Sequence, residues 1–206
     1  MSVDPKDHWQ TLYGKRHFSE VSWYQSLPER SLELIRETGV PKTAPILDVG
    51  GGASTLVDHL LAEGFSDLTV LDLAPLALAA ARARLGTAAE RVKWIAADIT
   101  EFRPSRRYAL WHDRAVLHFL RNPVQRQRYL DVLQAALAPA GHVIIATFGP
   151  EGPTRCSGLE VQRYSAEQLG ALLGSGYHLV RGALEDHVTP GGRRQQFLYG
   201  WWRAGA

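Results

Sequence analysis

Cysteine occurs once in this chain, at position 156, so no intrachain disulfide can form and no cysteine cluster can hold zinc. That scarcity suits a reducing compartment, and a cytoplasmic location is expected. Long apolar runs are missing as well. The opening "MSVDPKDHWQTLYGKRHF" has no apolar leader core, and stretches such as "HVIIATF" fall far short of the ~20 residues a membrane-spanning helix needs. A soluble, unexported protein without a membrane partner is expected. Nor does one sign of charge dominate: 23 basic and 21 acidic side chains leave a formal charge of +2, which calls for no polyelectrolyte partner. The arginines at 103, 106, 107, 121, 126 and 128 form no contiguous basic face and accompany no RNA-binding aromatic motif, so a solvated helix surface is the simpler reading and no nucleic acid is expected. The eight histidines include no pair at i, i+4 spacing, and no metal is expected.

What is present is an alternation. After an opening block, β-type apolar runs alternate with Ala/Leu-rich helical ones, the pattern of βαβ units around a mostly parallel sheet. "APILDVG", "SDLTVLDL", "RVKWIAADI", "YALWHD" and "GHVIIATF" read as five strands in order. Helices are predicted from about Ser54 to Gly64, from Pro75 to Gly86, and over "PVQRQRYLDVLQAAL"; Pro75 suits a helix start because only an already unpaired amide hydrogen is lost. In the tail, "EGPTRCSG" reads as a loop, "SAEQLGALLG" as a helix, and "YHLVRGALEDHVTP" and "QQFLYGWWR" as two strands closing in an antiparallel hairpin. Trp201 and Trp202 are expected to pack on opposite faces of the last strand. The first 40 residues, with Trp9, Tyr13, Phe18, Trp23 and Tyr24, form an aromatic-rich cap ending in a helix with Pro28 near its start. With 206 residues and 45% hydrophobic content, one domain over 1–206 is expected: cap at 1–40, ligand-binding core at 41–149, substrate-side loop, helix and hairpin at 150–206.

Chemistry concentrates in "ILDVGGGAS". Glycines at the carboxyl end of a first parallel strand let backbone approach a ligand, and the following helix start offers free amide hydrogens. Gly50, Gly51 and Gly52 fit this, although a tight turn with no ligand is the bland alternative. Asp72 ends the second strand about 20 residues later, where a carboxylate can accept both hydroxyls of a ribose. Asp98 is expected to end the third strand likewise. Either aspartate alone could be a helix cap; together with Asp48 they would line one crevice beyond the strand ends. A dinucleotide brings an anionic pyrophosphate, for which Asp48 is a poor neighbour, while a cationic, ammonium-bearing ligand is favoured there. Thr55 also stands where a dinucleotide fingerprint wants a small residue, which weakens the reading as an NAD(P)-dependent oxidoreductase.

These motifs resemble the class I S-adenosylmethionine-dependent methyltransferase family over nearly the whole chain. "ILDVGGGAS" looks like its first motif, "LTVLDLA" its second, "IAADI" its third, and "LAPAGHVIIATF" its strand-five segment, with Pro139-Ala140-Gly141 departing from the usual Pro-Gly-Gly. The resemblance implies an α/β fold with a single Rossmann-like, seven-stranded, mostly parallel sheet flanked by helices, a C-terminal antiparallel hairpin and an N-terminal helical cap. It implies S-adenosylmethionine as cofactor, with Gly50 and Gly52 at the methionine part, Asp72 at the ribose hydroxyls, Asp98 and Ile99 at the adenine, and Asp113 near the methionine end; Trp23, Asp48, Gly51, Leu73 and Arg114 are further candidate cofactor-binding residues. The block "HWQTLYGKRHFSEVSWYQ" is similar to a branch that holds small bacterial methyltransferases and protein-lysine methyltransferases. At strand four, "WHDRAVLHFL" replaces the Asp-Lys-Gly of the lysine enzymes, which favours a small-molecule acceptor such as a thiol or amine; a cofactor-binding module without turnover is a further alternative.

In-line methyl transfer depends on alignment and exclusion of water, and needs a base only if the nucleophile must lose a proton. His118 and Asp113 are the candidate bases, with His112 and His118 equally able to serve in packing. Trp23 and Tyr24 could cover a sulfonium with an aromatic face, or staple the following helix. Cys156, Arg155 and Arg163 follow strand five, where acceptor-binding loops often lie. Oligomeric state is not readable.

Overall fold

The computed structural model describes residues 4–15 and 17–205. Residues 1–3 and Arg16 of the expected cap, and Ala206, lie outside the described residues. Helix α1 (Pro5–Lys15), a 3-10 turn at Phe18–Glu20 and helix α2 (Glu29–Glu37) precede strand β1 (Ile46–Val49). Then come α3 (Leu56–Ala62), β2 (Leu68–Asp72), α4 (Pro75–Leu85), β3 (Val92–Ala96), β4 (Tyr108–Arg114), α5 (Pro123–Ala136) and β5 (Leu137–Phe148). A two-stranded hairpin, β6 (Arg155–Cys156) and β7 (Leu159–Glu160), leads to α6 (Ala166–Leu173), β8 (Tyr177–Val188) and β9 (Arg194–Ala204). The main sheet has seven strands in the order β3-β2-β1-β4-β5-β9-β8; the first five are parallel, and β9 runs antiparallel to both its neighbours. No helix among the described residues is long and apolar enough to cross a membrane.

The order follows from the sequence pattern. β1 is buried along its whole length, as a central parallel strand covered on both faces must be, and its four residues are correspondingly apolar except Asp48. Strand parity then divides the core into two layers. Ile46, Leu110, Ile144, Ala146, Phe148 and Trp201 point to the face covered by α2 and α3. Leu47, Val49, Trp111, Val143, Ile145 and Trp202 point to the opposite face, against α5 and α6. Trp201 and Trp202 therefore pack one on each face.

Three local differences from the expected pattern have physical causes. β5 begins at Leu137 rather than Gly141, because the Pro139-Ala140-Gly141 turn is absorbed as a register shift against β4, with Ala140 at φ +55°. The loop after β5 contains the β6–β7 hairpin, closed by Ser157 and Gly158 at φ +50° and +81°, the left-handed pair that a two-residue hairpin turn requires. β3 ends at Ala96, so Asp98 lies beyond the strand; its Oδ1 accepts hydrogen bonds from the Thr100 amide and hydroxyl, both at 2.8 Å.

Parity also decides where Asp113 goes. It lies on the α5 side of the sheet, opposite Asp48 and Arg114, and is fully buried. Its Oδ1 accepts from the Val116 amide (2.8 Å), and its Oδ2 accepts from the Leu117 amide (3.1 Å) and the Tyr129 hydroxyl (2.7 Å). The Tyr129 hydroxyl in turn accepts from the Trp111 indole at 3.0 Å. Burial raises the Asp113 carboxyl to about 6, against the pull of these donors. Because that value exceeds the unfolded one, the contribution of Asp113 to stability is largest below about pH 4 and fades as pH rises through about 6. Tyr129→Phe removes one donor from the charged form, so it is expected to cost about 1–3 kcal/mol at pH 7.5 and less at pH 5. Denaturant unfolding at both pH values measures this, and an equal cost at both would contradict the assignment.

Candidate active site at the carboxyl ends of the parallel strands

The turn after β1 is built so that side chains from three directions meet over bare backbone. Gly50 (φ +66°) and Gly52 (φ +36°) occupy the left-handed region. A methyl group on Gly50 would overlap the Val116 side chain; one on Gly51 would overlap the Asp48 carboxylate, and one on Gly52 the Asp72 carboxylate. At all three glycines the space of a Cβ is taken by a neighbouring side chain. Ser54 caps α3 by accepting from the Leu56 amide at 3.1 Å, and the Thr55 hydroxyl donates to the Gln25 carbonyl at 2.8 Å, fastening the cap to the helix start.

Register places Asp48 beside His112 on adjacent parallel strands, pointing to the same face. The two are joined at 2.7 Å (Oδ1 to Nδ1), and His112 Nε2 lies 2.9 Å from the Ser31 hydroxyl on α2; all three residues are buried. Two residues further along β4, Arg114 donates from Nε to the Tyr199 hydroxyl (2.8 Å) and from Nη1 to the Trp23 carbonyl (2.9 Å). Its Nη2 is buried with no partner among the described residues. Ala115, next in the chain, takes φ +76°, a strained conformation for a residue with a Cβ, and the Asp113 carboxylate holds the turn in it.

Trp23, Asp48, Gly50, Gly51, His112 and Arg114 line one small cavity with Ser31, Tyr13 and Tyr24. Its volume is about 40 Å³, because the aromatic cap lies across it. Trp9 meets Trp23 and Phe119 edge-on at 5.6 and 5.1 Å, Tyr13 meets Trp23 at 6.3 Å, and Arg84 stacks over Phe18 at 5.0 Å. Gln10 of α1 accepts the Leu76 amide at the start of α4 (3.0 Å).

Asp72 ends β2 beneath Gly52, and its Oδ1 accepts from the Ala74 amide at 2.7 Å. Burial, with a smaller push from the Asp48 charge, raises it to about 7. The same Asp72 charge, after burial, raises the phenol of Tyr13. Leu73 beside Asp72 is half-buried, and Ile99 is buried in the core layer facing α5. Asp98 and Ile99 thus sit away from the small cavity, at the turn beyond β3. His118 is fully buried in a short 3-10 turn between Phe119 and Phe148; its Nδ1 accepts from the Phe148 amide (3.3 Å) and its Nε2 has no partner among the described residues. Burial, aided by the Arg114 charge, lowers it to about 3, so it is neutral at physiological pH. Cys156 is buried beside the cap, its thiol raised to about 11 by desolvation. Arg163 is held by the Gly152 carbonyl at 3.3 Å.

Sequence reasoning did not anticipate the partnership of Asp48 with His112 and Ser31, the tethering of Arg114 to the cap, or the strain at Ala115. The first needs strand register, and the others need tertiary contacts.

Residues 47–143 match the family model described as a methyltransferase domain. Over 107 residues the chain is 28% identical to nodulation protein S of Rhizobium fredii, covering 52% of this chain and 61% of that protein, so the match spans less than two thirds of the relative. Among solved structures, the chain superposes on the 1,6-didemethyltoxoflavin-N1-methyltransferase of Burkholderia thailandensis with TM-score 0.72 at 22% identity, covering 100% of this chain and 92% of that one. It superposes on the N-methyltransferase NodS of Bradyrhizobium japonicum with TM-score 0.72 at 20% identity, covering 98% and 100%. The matched region and the shared fold make this chain similar to the class I S-adenosylmethionine-dependent methyltransferase family. S-adenosylmethionine is the cofactor of that family, and methyl transfer is its chemistry.

The glycine turn makes a direct test of the packing. Gly50→Ala forces a methyl into Val116 at a positive φ, and is expected to cost about 2–4 kcal/mol from strain and overlap together. Gly64→Ala, at φ +88° but facing open space, carries the strain alone and is expected to cost about 1–2 kcal/mol. Denaturant midpoints compare them; equal losses would show that Val116 yields freely.

Proposed function

We propose that this protein transfers a methyl group from S-adenosylmethionine to a nitrogen or sulfur nucleophile of a small molecule, by in-line displacement and without a dedicated general base. The observation that carries this reading is the state of the two candidate bases. All the short contacts of Asp113 are taken up in holding the turn after β4, and His118 is neutral, buried and too weakly basic to take a proton near pH 7. A nucleophile with a free lone pair needs neither. The names of two similar proteins, a 1,6-didemethyltoxoflavin-N1-methyltransferase with 1,6-didemethyltoxoflavin bound and the N-methyltransferase NodS, support a small nitrogen acceptor.

The residues present fit the cofactor. The chain offers a carboxylate, Asp48, where an ammonium would lie, an unpartnered guanidinium nitrogen on Arg114 for a carboxylate, and Asp72 for ribose hydroxyls. Gly50, Gly51 and Gly52 give backbone approach, Leu73, Asp98 and Ile99 border the adenine side, and Trp23 with Tyr13 and Tyr24 shuts out water. Bound S-adenosylmethionine supplies a sulfonium-activated methyl group; the chain's part is alignment and desolvation. Asp48 at the glycine turn and the Thr55 hydroxyl committed to Gln25 weigh against a nicotinamide dinucleotide.

Two measurements test this. S-adenosylhomocysteine at about 100 times its dissociation constant is expected to raise the melting midpoint by about 5–10 °C; stabilisation by NAD or NADP alone would overturn the reading. Ribose hydroxyls donate to the ionised form of Asp72, whose carboxyl sits at about 7. Affinity for S-adenosylhomocysteine is therefore expected to strengthen about tenfold from pH 6 to pH 8. Asp72→Asn should bind more weakly with a flat profile, and an unchanged slope in that variant would assign the titration elsewhere.

A further inference from the structure

A second cavity, of about 550 Å³, opens beside the first, between the cap, the β6–β7 hairpin and the turn joining β8 to β9. The two share Val21 and Trp23 among their lining residues, so the chamber lies next to the glycine turn. Its volume is that of a small-molecule site. Its polar lining is specific. Gln195 is 9% exposed, yet its amide oxygen is buried with no hydrogen-bond partner among the described residues. A buried amide oxygen without a partner is an acceptor that a ligand N–H or O–H would satisfy.

The charges around the chamber are Arg155, Arg193 and Glu20. The Arg155 guanidinium is steadied by the Gly158 carbonyl at 2.8 Å, across the hairpin turn. Neither arginine makes an ion pair with a carboxylate among the described residues, although Arg121, just before α5, pairs with Glu160 of the hairpin and Arg194 of β9 pairs with Asp186 of β8. Glu20 accepts the His17 amide at the end of the cap's short turn. With two guanidinium groups against the one Glu20 carboxylate, the lining carries a net positive charge.

Resting on the methyltransferase reading above, we infer that this chamber is the acceptor site and that it selects an anionic small molecule. A carboxylate or phosphate of the acceptor lies against Arg155 and Arg193, a hydroxyl or amide hydrogen is accepted by Gln195, and the nucleophilic atom is presented past Trp23 toward the glycine turn. The methyl carbon breaks its bond to the cofactor sulfur as it bonds to the acceptor's lone pair; the sulfur keeps the electron pair and becomes a neutral thioether. A proton on a nitrogen acceptor leaves to solvent after transfer.

The test is calorimetric titration of the full chain saturated with S-adenosylhomocysteine, using 3-aminobenzoate and its neutral counterpart 3-aminobenzamide. The carboxylate is expected to bind about tenfold more tightly. In the Arg155→Gln/Arg193→Gln double variant this preference should vanish while affinity for S-adenosylhomocysteine stays unchanged, and Gln195→Leu should weaken both probes by a similar factor. Equal binding of the two probes, no binding of either at 10 mM or so, or a preference that survives the double variant would each overturn the assignment. Binding of S-adenosylhomocysteine is measured first in the same samples: its absence would overturn the methyltransferase reading itself, whereas its presence without a carboxylate preference would overturn only the chamber's role.

Discussion

The contact between Asp48 and His112, 2.7 Å across two neighbouring parallel strands, is the one around which the crevice is organised. A carboxylate buried at the centre of a parallel sheet carries a desolvation cost that only close partners offset. His112 offsets it and passes the connection to Ser31, which registers α2 against the sheet face. Tyr199 touches both Ser31 and Arg114, and Arg114 reaches the Trp23 carbonyl. A continuous polar path therefore runs from beneath the glycine turn to the cap. Removing any member strands another buried polar group, so the position of the aromatic cover and the orientation of the carboxylate at the turn are fixed by the same set of bonds.

Much of this architecture was legible in the chain itself. The run "ILDVGGGAS" announced both a buried strand and a backbone turn, and the alternation of apolar residues predicted the two faces that Trp201 and Trp202 occupy. The helix starting at Pro75 and the hairpin at the end of the chain follow from proline and glycine chemistry alone. Asp113 shows where such reading stops. Asp113 and Arg114 were both expected at the cofactor, but successive residues of a strand face opposite ways, and which parity meets the crevice depends on pairing with β1. Asp98 shows a second limit: where a strand ends is set by the Thr100 bonds that turn the chain, a contest between local side-chain capping and ladder pairing.

The two cavities that share Trp23 differ in chemistry. The smaller cavity sets Asp48 and Arg114 around bare backbone, which suits a ligand carrying both charges; the larger sets Arg155 and Arg193 against the single Glu20 carboxylate, beside the Gln195 amide.

Cys156 stands in the wall of the larger chamber, the chain's sole thiol and the strongest potential nucleophile near any methyl donor. With its acidity suppressed to about 11, only about one molecule in ten thousand carries the thiolate at pH 7. Burial thereby keeps the chain's own sulfur protonated and a poor target for alkylation, even though it lines a cavity next to the glycine turn.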